Sequence, residues 1–160
     1  MEGAISSPPN TRIAVVTGGN KGIGFEVCRQ LASDGVTVVL TAAVDKLKGL
    51  GLFKVVFHQL DVSDASSIAG LANFLKTRFG KLDILVNNAS VGGAEYSKLS
   101  IPSRKSALDS HQRLEMIMKN VRETVDAAKE AVQTNYYGTK HVIEALLPLL
   151  QSSSDGKILE

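Results

Sequence analysis

The chain has 160 residues, of which 44% are apolar and 21% charged, with a net charge of +2. This is the composition of a soluble globular protein long enough for one domain with a sizeable core. Its Lys and Arg residues are scattered, which excludes a dedicated nucleic-acid surface. The single cysteine, Cys28, excludes an internal disulfide and reads as a small buried apolar residue; a reducing, cytoplasmic location follows.

In chain order, residues 1–10 read as a flexible Ser/Pro tail without the apolar core of a signal peptide, and residues 11–160 as one domain. Arg12–Val16 is an apolar strand, and Gly22–Ser33 a helix stopped by Asp34-Gly35. Val36–Leu40 is β-branched and uniformly apolar, as a strand covered on both faces should be. Only the thirteen residues 41–53 precede the third strand, Lys54–His58, so the helix of this crossover, around Asp45–Leu50, must be very short. Ser63-Asp64 caps a helix running to about Arg78, with Ile68, Leu71, Ala72 and Leu75 on one face. Leu82–Val86 is a fourth strand, and Ser90–Ser106 a polar, irregular stretch. A long helical region then runs to about Leu150, with one break near Val121, and Gly156–Leu159 opens a fifth strand. The longest late apolar run, Ala145–Leu150, contains Pro148 and is far short of a membrane span. Strand–helix alternation of this kind predicts an α/β fold with right-handed crossovers and a doubly wound parallel sheet of about four to five strands.

Three signatures fall on the carboxyl edge of that sheet, where such folds bind ligands. The first is Thr17-Gly18-Gly19-Asn20-Lys21-Gly22-Ile23-Gly24, a glycine-rich turn between a strand and a helix start. Backbone N–H groups and the helix dipole there make a cradle for an anion, and glycine lets a phosphate approach the backbone. The second is Asp61-Val62 after the third strand, and the third is Asn87-Asn88-Ala89 after the fourth. Asn87 and Asn88 also suit a plainer role, capping the strand end and tying it to its neighbour. The three histidines share no metal-ligand spacing, and no Cys/His cluster exists.

With Leu82–Ala89 and Asn135-Tyr136-Tyr137-Gly138, these motifs resemble the short-chain dehydrogenase/reductase family. The wording from Asn20 to Glu26 and the long segment after Asn88 resemble its plant carbonyl-reductase branch, which includes menthone or neomenthol and salutaridine-type reductases. The resemblance implies a Rossmann-type fold that binds NADP. It implies that Gly18, Gly22 and Gly24 shape the pyrophosphate turn, with the Ile23 N–H among the donors, and that Thr17, Asn20 and Lys21 belong to the same cofactor-binding site. Asp61 would accept from the adenine amino group, Val62 would pack on the ring, and Asn88 and Ala89 would line the ribose side. Lys21 is placed as in NADP-preferring relatives, and no acidic residue closes the second strand to hold ribose hydroxyls. The chain departs from the plant pattern at Thr41-Ala42-Ala43-Val44, where those relatives carry an arginine; the missing arginine and the shortened crossover read as one deletion. The segment after Asn88 covers, in that branch, the face on which other members dimerise, which implies a monomer.

The family reduces carbonyls of small metabolites using a serine and a Tyr-x-x-x-Lys pair that follow the fifth strand. Neither precedes Glu160, so the resemblance implies a C-terminally truncated, cofactor-binding portion that is inactive alone. Tyr136…Lys140 has the right spacing but lies before the fifth strand, and reads as packing plus a solvated lysine. Asn135 is the only member of the catalytic tetrad present; without its partners its plain reading is a helix-kink residue. Two alternatives stand beside this reading: a non-catalytic nucleotide-binding or interaction module, and a truncated product with no stable fold.

Overall fold

The computed structural model describes residues 11–40, 44–96 and 109–160. The tail assigned to residues 1–10 and the arginine-deficient positions 41–43 lie outside the described residues. Five parallel strands form the main sheet: β1 Ile13–Val16, β2 Thr37–Leu40, β3 Val55–Phe57, β4 Ile84–Val86 and β7 Lys157–Leu159. Their order is β3-β2-β1-β4-β7, so the chain reverses direction across the sheet between β1 and β4. Register pairs Val16 with Leu40 on one side and with Val86 on the other, which brings three strand ends to one edge.

The alternation of side chains along each strand divides the core in two. Ile13, Val15, Val39 and Leu85 face helices α3 (Ala65–Arg78) and α6 (Thr139–Gln151), meeting Leu71, Leu75, Val142 and Leu146. Ala14, Val16, Val38, Leu40 and Ile84 face helix α1 (Gly22–Ser33) and the short helix α2 (Val44–Gly49). The continuous apolar reading of the second strand therefore has its cause: Val38, Val39 and Leu40 are fully buried between the two layers. On α1, the buried residues are Gly24, Cys28 and Ala32, one helical turn apart, so the helix lies close against the sheet. Gly19 belongs to the same contact, since a Cβ there would stand 2.9 Å from Cys28 Sγ.

Turn and cap chemistry place these elements. Gly35 ends α1 with φ of 80°, a left-handed conformation natural to glycine. Asp64, not Ser63, caps α3, its side chain accepting from Ser66 N at 2.9 Å. Asp83, nearly buried, ties the bottom of the sheet. One of its oxygens accepts from Ile13 N at 2.7 Å, while Lys81 Nζ lies 3.0 Å away and Ser153 Oγ donates to the other oxygen.

Two features depart from the sequence-based expectation. The stretch after Asn88 contains a strand, β5 (Glu95–Tyr96), paired antiparallel with β6 (Val121–Arg122). That pairing is what breaks the long helical region between α4 (Ser110–Asn120) and α5 (Val125–Ala131). Two-residue strands have no periodicity to read, so the signal lay only in the break. The second departure is a π-helical segment, Val132–Gly138, between α5 and α6. It has no composition signature and accompanies tertiary contacts of Asn135 and Gly138.

Candidate functional site

The glycine turn is built from the inside by Thr17 and Asn88. Thr17 is buried; its N–H donates to Val86 O at 3.0 Å, extending the β1–β4 pairing past the strand ends. Its hydroxyl oxygen accepts from Asn88 N at 3.0 Å and Ala89 N at 2.9 Å. Asn88 Nδ2 returns the link, donating to Thr17 O at 3.1 Å and Gly18 O at 3.0 Å. The turn after β1 and the loop after β4 are thus one hydrogen-bonded unit. For Asn88 the observed role is the tie between neighbouring strand ends.

The glycines are dictated by this closeness. A Cβ at Gly18, whose φ is 65°, would sit 2.9 Å from Ala89 Cα. At Gly24 it would collide with the Asn88 side chain and lie 2.7 Å from Gly18 O. Gly22 differs: its φ is 57°, and a Cβ there would meet nothing within 4 Å. A side chain at Gly22 would occupy the space above the turn rather than strike the protein.

That space adjoins the N-terminus of α1. The N-cap is Lys21, which makes no side-chain cap, and the first turn holds no acidic residue. By contrast, Asp64, Asp109 and Thr124 cap α3, α4 and α5 with side-chain oxygens. The first-turn N–H groups of α1 therefore receive no capping side chain from Lys21 and are open to solvent or to an anion.

Two cavities open on this edge, sharing Gly18, Asn20 and Ala89. One, of about 400 Å³, is lined by Leu60, Asp61 and Val62. Asp61 Oδ1 accepts from Ser63 N at 2.9 Å and Ser63 Oγ at 2.7 Å, and these bonds hold its carboxyl below the usual carboxylate range. An ionised acceptor beside an apolar plate suits a flat heterocycle carrying an amino group. The other cavity, of about 560 Å³, runs past Lys21, Gly22 and Ile23 to Ser90, Val91 and Thr134. Ile23 is 79% exposed, so its side chain is available to a ligand. Of the residues singled out in the sequence, Thr17, Gly18, Asn20, Lys21, Gly22, Ile23, Asp61, Val62, Asn88 and Ala89 line these two spaces, while Gly24 lies behind the turn against Asn88 and lines neither.

Asn135 stands apart from both. It lies in the π-helical segment, where its Oδ1 accepts from Val91 N and its Nδ2 donates to Val91 O, both at 2.9 Å. Its side chain pins the loop after β4 to the helix. Gly138, at the end of the Asn135–Gly138 motif, lets the helix approach the Asp61 loop: a Cβ there would stand 2.8 Å from Val62 O. Tyr136 is 61% exposed and stacks edge-on with Tyr137, ring centroids 5.0 Å apart. Lys140 Nζ lies 3.8 Å from Glu144 on the solvent face. Cys28 is buried, and burial pushes its thiol up to about 11, which removes it as a nucleophile. A further surface cavity, about 720 Å³ along α5 and the π-helical segment, contains none of the predicted site residues.

Comparisons with known proteins agree with this geometry. The family model for short chain dehydrogenases matches residues 12–160. Salutaridine reductase of Papaver bracteatum is 47% identical over 171 residues, covering 94% of this chain and 55% of its own length. The (+)-neomenthol dehydrogenase of Arabidopsis thaliana is 45% identical, covering 92% and 52%. Among solved structures, salutaridine reductase from Papaver somniferum superposes with a TM-score of 0.78 at 43% identity, covering 92% of this chain and 55% of that one. The chain spans about half the length of the curated relatives it matches. With the family model covering the whole sheet and both cavities, and the Rossmann-type topology in place, the chain belongs to the short chain dehydrogenase family.

Proposed function

We propose that residues 11–160 form the NADP-binding part of a reductase for carbonyls of small metabolites. The observation that carries this reading is the uncapped N-terminus of α1 facing the open space over Gly22, flanked by the two cavities. The N–H groups of that first turn, with Ile23 among them, hold a pyrophosphate. Asp61 accepts from the adenine amino group, Val62 packs on the ring, and Ala89 lines the ribose side. Gly18, Gly24, Thr17 and Asn88 keep the turn tight enough for this contact. Lys21 and Asn20 are the polar groups on hand for a 2′-phosphate, which favours NADP over NAD. A relative named carbonyl reductase [NADPH] 1, from Sus scrofa, is 40% identical over 154 residues and supports that preference.

A bound nicotinamide supplies hydride chemistry; this chain's residues bind it and set its orientation. Proton delivery to a carbonyl oxygen needs an acidified hydroxyl beside the ring. The Tyr136…Lys140 pair does not provide one, because Lys140 pairs with Glu144 and Tyr136 stacks on Tyr137. Residues 1–160 by themselves are therefore a binding unit without turnover, and Asn135 acts in them as a loop anchor. The unit is monomeric and cytoplasmic in this reading. The free, buried thiol of Cys28 supports a reducing compartment, and no helix among the described residues is long and apolar enough to cross a membrane.

Titration of the purified chain with NADPH, followed by nicotinamide fluorescence and calorimetry, tests the proposal. Saturable binding displaced by 2′,5′-ADP is expected, with no NADPH oxidation over a protein-free blank when menthone is added. A chain that unfolds cooperatively yet binds neither nucleotide overturns the binding reading; oxidation above the blank overturns the absence of turnover. Sedimentation at micromolar concentration gives the oligomeric state, with a single species of 17.0 kDa expected.

A further inference from the structure

We propose that Thr134 is a further cofactor-binding residue, its hydroxyl engaging the nicotinamide-side half of the dinucleotide; this rests on the dinucleotide reading above. Thr134 lies in the π-helical segment and is the residue through which that helix lines the 560 Å³ cavity. It is half-buried, and its hydroxyl makes no hydrogen bond to any described residue. The other polar groups of the cavity are differently placed. The Asn88 amide nitrogen is spent on the carbonyls of Thr17 and Gly18. Lys21 is exposed at the mouth of the turn, and Ser90 sits exposed on the loop. Thr134 is the hydroxyl in this space carried by a helix rather than a loop.

Its position is held by its neighbour. Asn135 makes two bonds to the backbone of Val91, so the helix is pinned to the far wall of the same cavity one residue from Thr134. A group fixed in this way loses little freedom when a ligand binds, and its hydrogen bond contributes nearly in full. Assignment to one half of the ligand follows from the cavities. Asp61 and Val62 line only the smaller one, which is the better adenine site. A pyrophosphate at α1 then directs the second nucleoside into the cavity that contains Ser90, Val91 and Thr134. Ribose hydroxyls and a carboxamide both offer partners for a Thr hydroxyl.

The test is the split between two ligands. Thr134→Val keeps the shape and removes the hydroxyl; Thr134→Ser keeps the hydroxyl. NADPH and 2′,5′-ADP are titrated against the wild-type chain and both variants, with a thermal melt of each. Loss of one hydrogen bond predicts NADPH affinity about 5- to 10-fold weaker in Thr134→Val, with affinity for 2′,5′-ADP unchanged and with Thr134→Ser close to wild type. Equal NADPH affinity in wild type and Thr134→Val overturns the proposal. So does a parallel loss of 2′,5′-ADP affinity, which marks a structural role, or a Thr134→Ser variant as weak as Thr134→Val. If the wild-type chain binds neither ligand, the dinucleotide reading itself fails and this inference falls with it.

Discussion

Asn88 stands at the junction of two loops, and its amide nitrogen is the only side-chain donor to the carbonyls of Thr17 and Gly18 among the described bonds. Asn88→Ala leaves both part-buried carbonyls without that donor. The expected cost is about 1–3 kcal/mol in denaturant unfolding, with weaker dinucleotide binding as the turn relaxes. Asp83 makes a comparable tie at the other end of the sheet. Burial pushes its carboxyl up, but the bonds from Ser153 Oγ, Ile13 N–H and Lys81 outweigh burial and hold it below its ordinary 3.8. A carboxylate with a lowered folded-state pKa stabilises the fold above its unfolded pKa, and that contribution is lost as pH falls through the folded value. Asp83→Asn is therefore expected to cost about 1.5–3 kcal/mol at neutral pH. In chemical unfolding at a series of pH values, the gap from wild type should hold down to about pH 5 and close only below 3.8. The glycine turn and Asp61 were legible in the sequence because their chemistry is local. The tie made by Asn88 was legible from its place at a strand end, though not its partners; the work of Asp83 was not, because Ile13 and Ser153 each lie seventy positions away.

At the scale of elements, the π-helical segment Val132–Gly138 is the least expected feature. An isolated helix gains nothing from the wider turn. Here it accompanies two contacts: Asn135 to the backbone of Val91, and Gly138 against Val62. Together they join the helix to the loops after β4 and β3, which form the two cavities. Gly138→Ala places a methyl 2.8 Å from Val62 O, a backbone atom that must shift. The expected result is about 1–3 kcal/mol of destabilisation, with affinity for 2′,5′-ADP reduced as the Asp61 loop moves; calorimetry reads both. The helices themselves were legible from period and caps, since Ile68, Leu71 and Leu75 repeat at helical spacing and all are buried. The short β5–β6 pair was not, because its register is set by a partner about twenty-five residues distant rather than by any run of its own.

For the molecule as a whole, the sheet edge at β7 is the exposed liability. Ile158 and Leu159 are 41% and 52% exposed, on a strand that pairs only with β4 among the described residues. An apolar unpaired edge templates association with other chains. Leu159→Lys is expected to slow the growth of light scattering on mild heating several-fold, while changing unfolding free energy by less than about 0.5 kcal/mol. The sequence by itself determined the layered α/β plan through short-range periodicity, the family through its motifs, and the glycine turn through positions where the backbone leaves no room for a side chain. Only the tertiary structure decided what holds the cradle closed and which helix residues reach it, because those depend on hydrogen bonds between loops far apart in the chain, which no local pattern of residues encodes.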